Sequence, residues 1–399
     1  MKDGPKMSKM SARALAVEIL VRVEKEKAYV NLLLQRSLEQ LADPRDRQLC
    51  TTLVNGTLKN RLTLDYVLRR YLTKSMSQLP QEVRYILRIS AFQILYLDKI
   101  PGGAAIYEGV ELTKGRQRKY TSLTNSVLRR VLENGWDISW PNQKKEPVRY
   151  LSVRLSHPEW MVKRWLKRYG FSGTEELCRS NNEPAPLWIR TNTLKTNREE
   201  LAKRLEGEGV EVSLGERVPE SLLIEKAGSI EKLSSFQEGL FNVQDESSQL
   251  VAHVLNPQPG EWVLDACGAP GGKTTHLAQL MKNQGEIFAF DIHEHKIPLI
   301  EELANRLGIG IIHAQAGDAR ELQGIELASC HKVLVDAPCS GLGVIRRRAD
   351  MRWHKSEQEI KALPELQLSI LEKASQCVAP QGELVYSTCT IEPEENFEV

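Results

Sequence analysis

Two cysteines late in the 399-residue sequence stand in similar company, Cys339 in Asp336-Ala337-Pro338-Cys339-Ser340-Gly341 and Cys389 in Ser387-Thr388-Cys389-Thr390. Each follows a strand-like run and opens a turn, which predicts two thiols at one cleft. Upstream, the run Asp265-Ala266-Cys267-Gly268-Ala269-Pro270-Gly271-Gly272-Lys273-Thr274 ends another strand-like stretch in small residues, where a backbone can approach a ligand closely. A nucleophilic thiol beside a nucleotide-like pocket suits few reactions, because covalent attack through sulfur and a bound small-molecule donor are seldom needed together. Methylation of a pyrimidine carbon is one that needs both.

The glycine turn fits neither of two commoner phosphate-binding patterns. A P-loop needs a glycine at Cys267 when counted back from Gly272-Lys273-Thr274, and no Gly-x-Gly-x-x-Gly is present. A nucleoside with a different tail, such as S-adenosylmethionine, remains. Asp291 closes the second strand, placed to accept ribose hydroxyls, and Asp318 follows the third, placed for an adenine amino group. An Asp after a strand is on its own most often a helix cap or turn residue. Asp265, Asp291 and Asp318 on successive strand ends, with a glycine turn after the first, favour the ligand reading.

These motifs need elements to hold them. Apolar residues recur at helical spacing from Ser11 to about Leu132, as in Leu15, Ile19 and Val23, which predicts an all-helical domain over 1–140. Residues 141–235 mix helical patches with short strand candidates, Leu187–Arg190 and Leu222–Ile224, and read as a small α/β subdomain. Over 236–399 strands (262–266, 287–291, 311–314, 333–336, 383–386) alternate with helices (273–282, 294–307, 356–377), the pattern of a doubly wound, Rossmann-like parallel sheet that binds ligands at its carboxyl edge. The fold class expected is therefore multidomain, α and α/β.

The net charge of +2 conceals a division: residues 1–170 carry 32 basic and 16 acidic side chains, and the remainder 22 and 36. A block so basic is an electrostatic footprint for a polyanion such as nucleic acid, against the plainer reading of a solubilising surface. No apolar run reaches the length of a membrane span, and Met1-Lys2-Asp3-Gly4-Pro5-Lys6 lacks a signal-peptide core, so a cytoplasmic protein with no membrane partner is expected. Seven scattered cysteines without a Cys-x-x-Cys argue for reduced thiols, and His293 and His295 lack partners at ligand spacing, so no metal is expected.

The segments 265–274, Phe290-Asp291-Ile292, 336–341 and 387–390 together resemble the RNA cytosine-5 methyltransferases of the NOL1/NOP2/Sun family. Leu53-Val54-Asn55-Gly56-Thr57-Leu58, Ala104-Ala105-Ile106-Tyr107-Glu108 and Thr124-Asn125-Ser126-Val127-Leu128-Arg129-Arg130 resemble the NusB-type RNA-binding helical domain. The pairing, which spans essentially the whole chain, is similar to bacterial members acting on 16S ribosomal RNA. It implies S-adenosylmethionine as cofactor, 16S ribosomal RNA as partner and a monomer. Cytosine C5 is a poor nucleophile, so a thiolate must first add at C6 to push electron density onto C5. By resemblance Cys389 is that thiolate and Cys339 assists release, while Asp336 binds the cytosine edge and Lys273 holds or polarises the base. Cys267, Gly268, Ala269, Pro270, Gly271, Gly272, Lys273, Asp291, Asp318 and Asp336 would hold the cofactor.

Departures from the family pattern are Gly268, usually alanine and expected to loosen the turn, Tyr107 and Gly109 in place of Asn and Ala, and the end at Val399, where family members run on and which predicts a truncated sheet edge. The basic loop Arg346–Trp353 reads either as a grip on RNA backbone around an unstacked base or as a solvated loop with one anchoring aromatic. Two other functions compete. A non-catalytic RNA-binding assembly factor is opposed by the intact thiols, and an amino-group methyltransferase by the cysteine standing where such enzymes carry an aromatic.

Overall fold

Local signals start the N-terminal helices: Ser11 Oγ accepts the Ala14 N–H, and Asp43, followed by Pro44 at the first helical position, accepts the Arg45 N–H. The computed structural model describes residues 10–399. Its helices α1 (Ala12–Glu26), α2 (Val30–Ser37), α3 (Pro44–Lys59), α4 (Arg61–Arg69), α5 (Gln81–Tyr96), α6 (Gly102–Arg116), α7 (Thr121–Asn134), α8 (Pro147–Leu155) and α9 (Glu159–Ser180, broken at Gly170) come first. By its contacts the chain divides into two compact units. One runs to Pro184 and takes in Val344–Glu357, and the other comprises Ala185–Gly343 and Gln358–Val399.

In the second unit β1 (Leu187–Thr191), α10 (Arg198–Gly207), β2 (Glu211–Leu214), β3 (Ser221–Lys226), α11 (Ser234–Gln237) and β4 (Phe241–Val243) build an antiparallel sheet of order β2-β3-β1-β4. There follow α12 (Glu246–Leu255), β5 (Trp262–Asp265), α13 (Gly272–Leu280), β6 (Glu286–Asp291), α14 (Ile297–Leu307), β7 (Ile312–Ala316) and β8 (Cys330–Asp336). After α15 (Met351–His354), which belongs to the first unit, α16 (Glu357–Ser375) leads to β9 (Val378–Ser387). These last five strands pair in parallel in the order β7-β6-β5-β8-β9. Alternation sends Leu264, Val333 and Val335 to one face, against Ile370 and Ala374 of α16, and Val263 and Leu334 to the other, against Leu255, Leu277 and Leu307. The strand order reverses at β5, which is where such sheets bind ligands.

The first unit packs Leu15 and Ile19 of α1, Leu53 and Leu58 of α3, Ile86 and Ile89 of α5 and Leu128 of α7 into one core, each essentially inaccessible. Each such burial contributes about 1.5–3 kcal/mol. A buried bidentate pair, Arg88 to Asp65 at 2.8 and 2.9 Å, crosses it. The far end of the sequence completes this unit: Asp350 accepts the Val30 N–H, Trp353 Nε1 donates to Leu58 O at 3.0 Å, and Arg352 Nη1 donates to Ser156 O and Asn182 Oδ1 at 3.0 and 2.8 Å. Arg352 is fully buried and bolts the loop 346–353 to the helices, whereas Arg347 and Arg348 of the same loop are exposed.

Gly56 on α3 touches the Phe92 ring of α5 so closely that an added Cβ would stand 2.0 Å from Cζ. Gly56→Ala should therefore destabilise the protein by about 1–3 kcal/mol through overpacking, although helix propensity alone would favour alanine by about 1 kcal/mol. A lowered thermal midpoint checks this, and an unchanged or raised one contradicts it.

Candidate active site

The glycine turn after β5 owes its shape to a short closed network. Gly268 N–H donates to Phe290 O, Gly271 N–H to Gly268 O, and Thr274 Oγ1 to Asp265 Oδ2, each at 2.7 Å. Asp265 is fully buried, and burial raises its carboxyl to about 6 against the Thr274 hydrogen bond. It locks the turn and does not line the cavity in front of it. The family's alanine at Gly268 would put a methyl 3.0 Å from Thr274 Oγ1. Arg190, fully buried on β1, reaches the first turn of α13, donating to Gly272 O at 2.7 Å and Thr275 Oγ1 at 3.0 Å. Burial pushes its guanidinium down to about 9.

Beyond the turn, at the carboxyl ends of β5, β6 and β8, lies a cavity of about 360 Å³. Of the residues expected to hold the cofactor, Cys267, Ala269, Asp291, Asp318 and Asp336 line it, whereas Gly268, Pro270, Gly271, Gly272 and Lys273 do not. The four backbone positions support the turn from behind, and Lys273 points its ammonium at Asp336. Sequence reasoning missed Ile292, Lys296, Arg320, Leu366 and Ile370 on the cavity wall. Leu366 and Ile370 sit four apart on α16, a helical spacing that was legible but carried no sign of a ligand. Lys296 Nζ lies 3.3 Å from both Asp291 oxygens, and Arg320 holds Asp318 at 2.5 Å, keeping that carboxyl below its usual range. The cavity thus offers the carboxylates of Asp291, Asp318 and Asp336, the apolar side chains of Ile292, Ala319 and Ile370, and room of nucleoside size, a fit to S-adenosylmethionine.

The two thiols meet. Cys339 Sγ and Cys389 Sγ are 3.2 Å apart, and the Cys389 N–H donates to Cys339 Sγ at 3.3 Å. Cys389 is exposed and Cys339 partly buried. The hydrogen bond with Cys389, and then burial, raise the Cys339 thiol far above its ordinary value, so Cys339 keeps its proton. Beside them Asp336 accepts one hydrogen bond on each oxygen, from Lys273 Nζ to Oδ2 at 2.6 Å and from Ser387 Oγ to Oδ1 at 2.8 Å, which leaves further acceptor sites on both.

A residue absent from the sequence reading ties both thiol turns together. Glu395, fully buried, accepts the Ser340 N–H at 2.7 Å, Gln367 Nε2 at 3.1 Å and Thr390 Oγ1 at 3.2 Å, while Ser340 and Thr390 share a 2.7 Å hydroxyl bond. Asn396 accepts the Thr388 hydroxyl at 2.5 Å and donates to Thr390 O at 3.2 Å.

A five-stranded parallel sheet with a carboxylate-lined cavity at its switch point, an antiparallel α/β subdomain and a basic helical domain define a multidomain protein with a Rossmann-like domain. Family models agree: 16S rRNA methyltransferase RsmB/F over residues 252–399, the NusB family over 10–133, and an RsmF/B-like ferredoxin-like domain over 157–231. The chain is 44% identical over 397 residues to the probable ribosomal RNA small subunit methyltransferase B of Bacillus subtilis (strain 168), covering 98% of this chain and 88% of that protein. It superposes on the crystal structure of PH0851 with a TM-score of 0.81 at 31% identity, covering 97% of this chain and 88% of that one. NSun6 from Pyrococcus horikoshii, solved with SFG, matches 60% of this chain and 85% of its own at 25% identity and a TM-score of 0.56. The chain belongs to the ribosomal RNA small subunit methyltransferase B family.

Among the described residues one group of metal-type donors gathers away from this cavity: Glu220, His253 and His276. Glu220 Oε1 is hydrogen-bonded to Nε2 of both imidazoles, at 2.8 Å for His253 and closer for His276. Burial, with the Arg190 charge, pushes His276 down to about 3, whereas the Glu220 hydrogen bond raises His253. The unfolded chain binds the His276 proton between pH 6.5 and about 3 and the folded chain does not. Stability is therefore lost as pH falls through that window, by up to about 1.4 kcal/mol per pH unit. The His253 contribution runs the other way, present below pH 6.5 and lost as pH rises through its raised folded value. Urea midpoints measured from pH 4 to 8 should show a steep acid limb that His276→Gln flattens; an acid limb of unchanged slope in that variant would refute the assignment.

Proposed function

We propose that the protein methylates carbon 5 of a cytosine in 16S ribosomal RNA through a covalent adduct with Cys389. The observation that carries this reading is the thiol pair, 3.2 Å apart beyond the ends of neighbouring strands β8 and β9, one exposed and one partly buried. When bound, S-adenosylmethionine supplies the methyl group as an electrophile. The Cys389 thiolate adds to C6, and the pair of electrons displaced from the C5–C6 bond forms the new C5–methyl bond as the methyl–sulfur bond of the donor breaks, its electron pair staying on sulfur in the thioether that leaves. A base then takes the C5 proton, the double bond reforms and the thiolate leaves. Cys339, whose sulfur lies 3.2 Å from that of Cys389, stabilises the departing Cys389 thiolate and so assists release. Asp336 accepts from the cytosine edge, and Lys273, 2.6 Å from it, holds or polarises the base.

Asp291 and Asp318 take the polar groups of the nucleoside, with Cys267 to Lys273 as the turn around the cofactor. The SFG bound to the NSun6 relative, an S-adenosylmethionine analogue, supports the choice of cofactor. In this reading 1–140 is the RNA-binding domain, 141–235 a small linking subdomain and 236–399 the methyltransferase domain of a monomeric, cytoplasmic enzyme that needs no metal.

The two thiols are separable by experiment. With unmodified 16S ribosomal RNA and S-adenosylmethionine, Cys389→Ala should lose methyl transfer and form no adduct. Cys339→Ala should accumulate a ribonuclease-sensitive, RNA-shifted band on a denaturing gel, with release slowed by roughly a hundredfold or more. A shifted band from Cys389→Ala alone would exchange the two roles. Intact transfer in both variants without any adduct would overturn covalent catalysis.

A further inference from the structure

The first unit contains a second concavity, of about 420 Å³, that the methyl-transfer chemistry does not use. Three aromatic side chains line it, Tyr66, Trp160 and Trp353, together with the cations Arg69, Arg149 and Lys355. Two of the rings are fixed before any ligand arrives. Tyr66 donates its hydroxyl to Ser139 O at 2.7 Å and stacks on Trp140, and Trp353 donates to Leu58 O with the Arg61 guanidinium 5.1 Å from its ring centre. Trp160, half-buried, stands in the first turn of α9.

The charge balance favours an anion. Asp65 also borders the pocket, but its two oxygens are taken by Arg88 in the buried bidentate pair. Arg149 meets Glu146 only as an exposed pair, which contributes little and yields readily to a phosphate. Glu159, exposed, is the remaining acid in the lining, against three cations at its margins. A concave site with aromatic walls and cationic margins is not shaped for a duplex, whose base faces are covered by stacking and pairing. It is shaped for a base turned out of its stack, with its phosphate at the margin.

We propose that this pocket binds one unstacked nucleotide of single-stranded RNA, the base against Trp160 and the backbone phosphate against Arg69, Arg149 and Lys355. This rests on the reading that the substrate is RNA, and it adds an anchoring point in the helical unit, formed in part by Trp353 and Lys355 from the late segment 344–357. Such an anchor would contribute to KM and leave the chemical step untouched.

The test uses the full-length protein and a fluorescent single-stranded oligoribonucleotide containing 4-thiouridine. Trp160→Leu should weaken binding roughly fivefold to a hundredfold, the range expected for one lost base stack. Arg69→Gln and Arg149→Gln, both at exposed positions that leave the core intact, should each reduce the slope of log affinity against log salt by about 0.7. Photocrosslinks should map to the peptide carrying Trp160. Affinities within twofold of wild type with unchanged slopes, crosslinks confined to other peptides, no binding by the wild-type chain, or competition by inorganic phosphate as strong as by a mononucleotide would each overturn the pocket. If these variants bind normally while the Cys339→Ala adduct still accumulates, the pocket is wrong and the methylation reading stands. If Trp160 crosslinks but no adduct forms in any variant, the pocket stands and covalent catalysis falls.

Discussion

A carboxylate that cannot be left unpaired organises the thiol site. Glu395 is fully enclosed, and taking an ionised group out of water costs several kcal/mol unless hydrogen bonds replace the lost solvent. Its replacements are the Ser340 amide, the Thr390 hydroxyl and the Gln367 amide, drawn from the turn after β8, the turn after β9 and helix α16. Satisfying one side chain therefore brings together the two turns that carry Cys339 and Cys389. Asn396 extends the same arrangement to Thr388. The sulfurs are held 3.2 Å apart because neither turn can withdraw without stranding a buried polar group.

Arginine is used in two different ways. Arg88 crosses the helical core paired with Asp65, charge against charge. Arg190 and Arg352, also fully buried, spend their guanidinium protons on carbonyl, amide and hydroxyl oxygens, and burial pushes both down to about 9. A rigid fork of donors suits this work, since one side chain can join three segments at once. Arg190 ties the small antiparallel sheet to the glycine turn: the carbonyl of Gly272 and the hydroxyl of Thr275 are held from β1, not from the parallel sheet. The subdomain therefore has a positional influence on the turn that its distance in sequence conceals.

What could be read from the residues alone was whatever is encoded locally. The strands ending at Asp265, Asp291 and Asp336 were placed to within a few residues, because alternation, glycine turns and strand-end acids lie within a window of ten positions. The pairing of Cys339 with Cys389 followed from two similar strand ends. Pairing partners remote in sequence were less legible, so the strands β2 and β4 went unnoticed, being four and three residues long and held by their neighbours. Asp265 illustrates the same limit, since nothing local distinguishes an acid that faces a ligand from one that turns inward to Thr274. Arg352 and Glu395 were invisible for a related reason: polar residues in a basic loop and an acidic tail look solvated until the chain that covers them is known.

The segment Val344–Glu357 belongs to the first unit, although the residues before and after it belong to the second. During synthesis the helices up to Pro184 leave the ribosome long before Asp350, Arg352 and Trp353 exist to bond Val30, Ser156 and Leu58. The helical unit must wait, incomplete, for more than a third of the chain to be made. Domains usually fold as they emerge, N-terminal first, but here the earliest-made unit is finished among the last, at the closing of a long loop that slows folding more than it weakens the folded state.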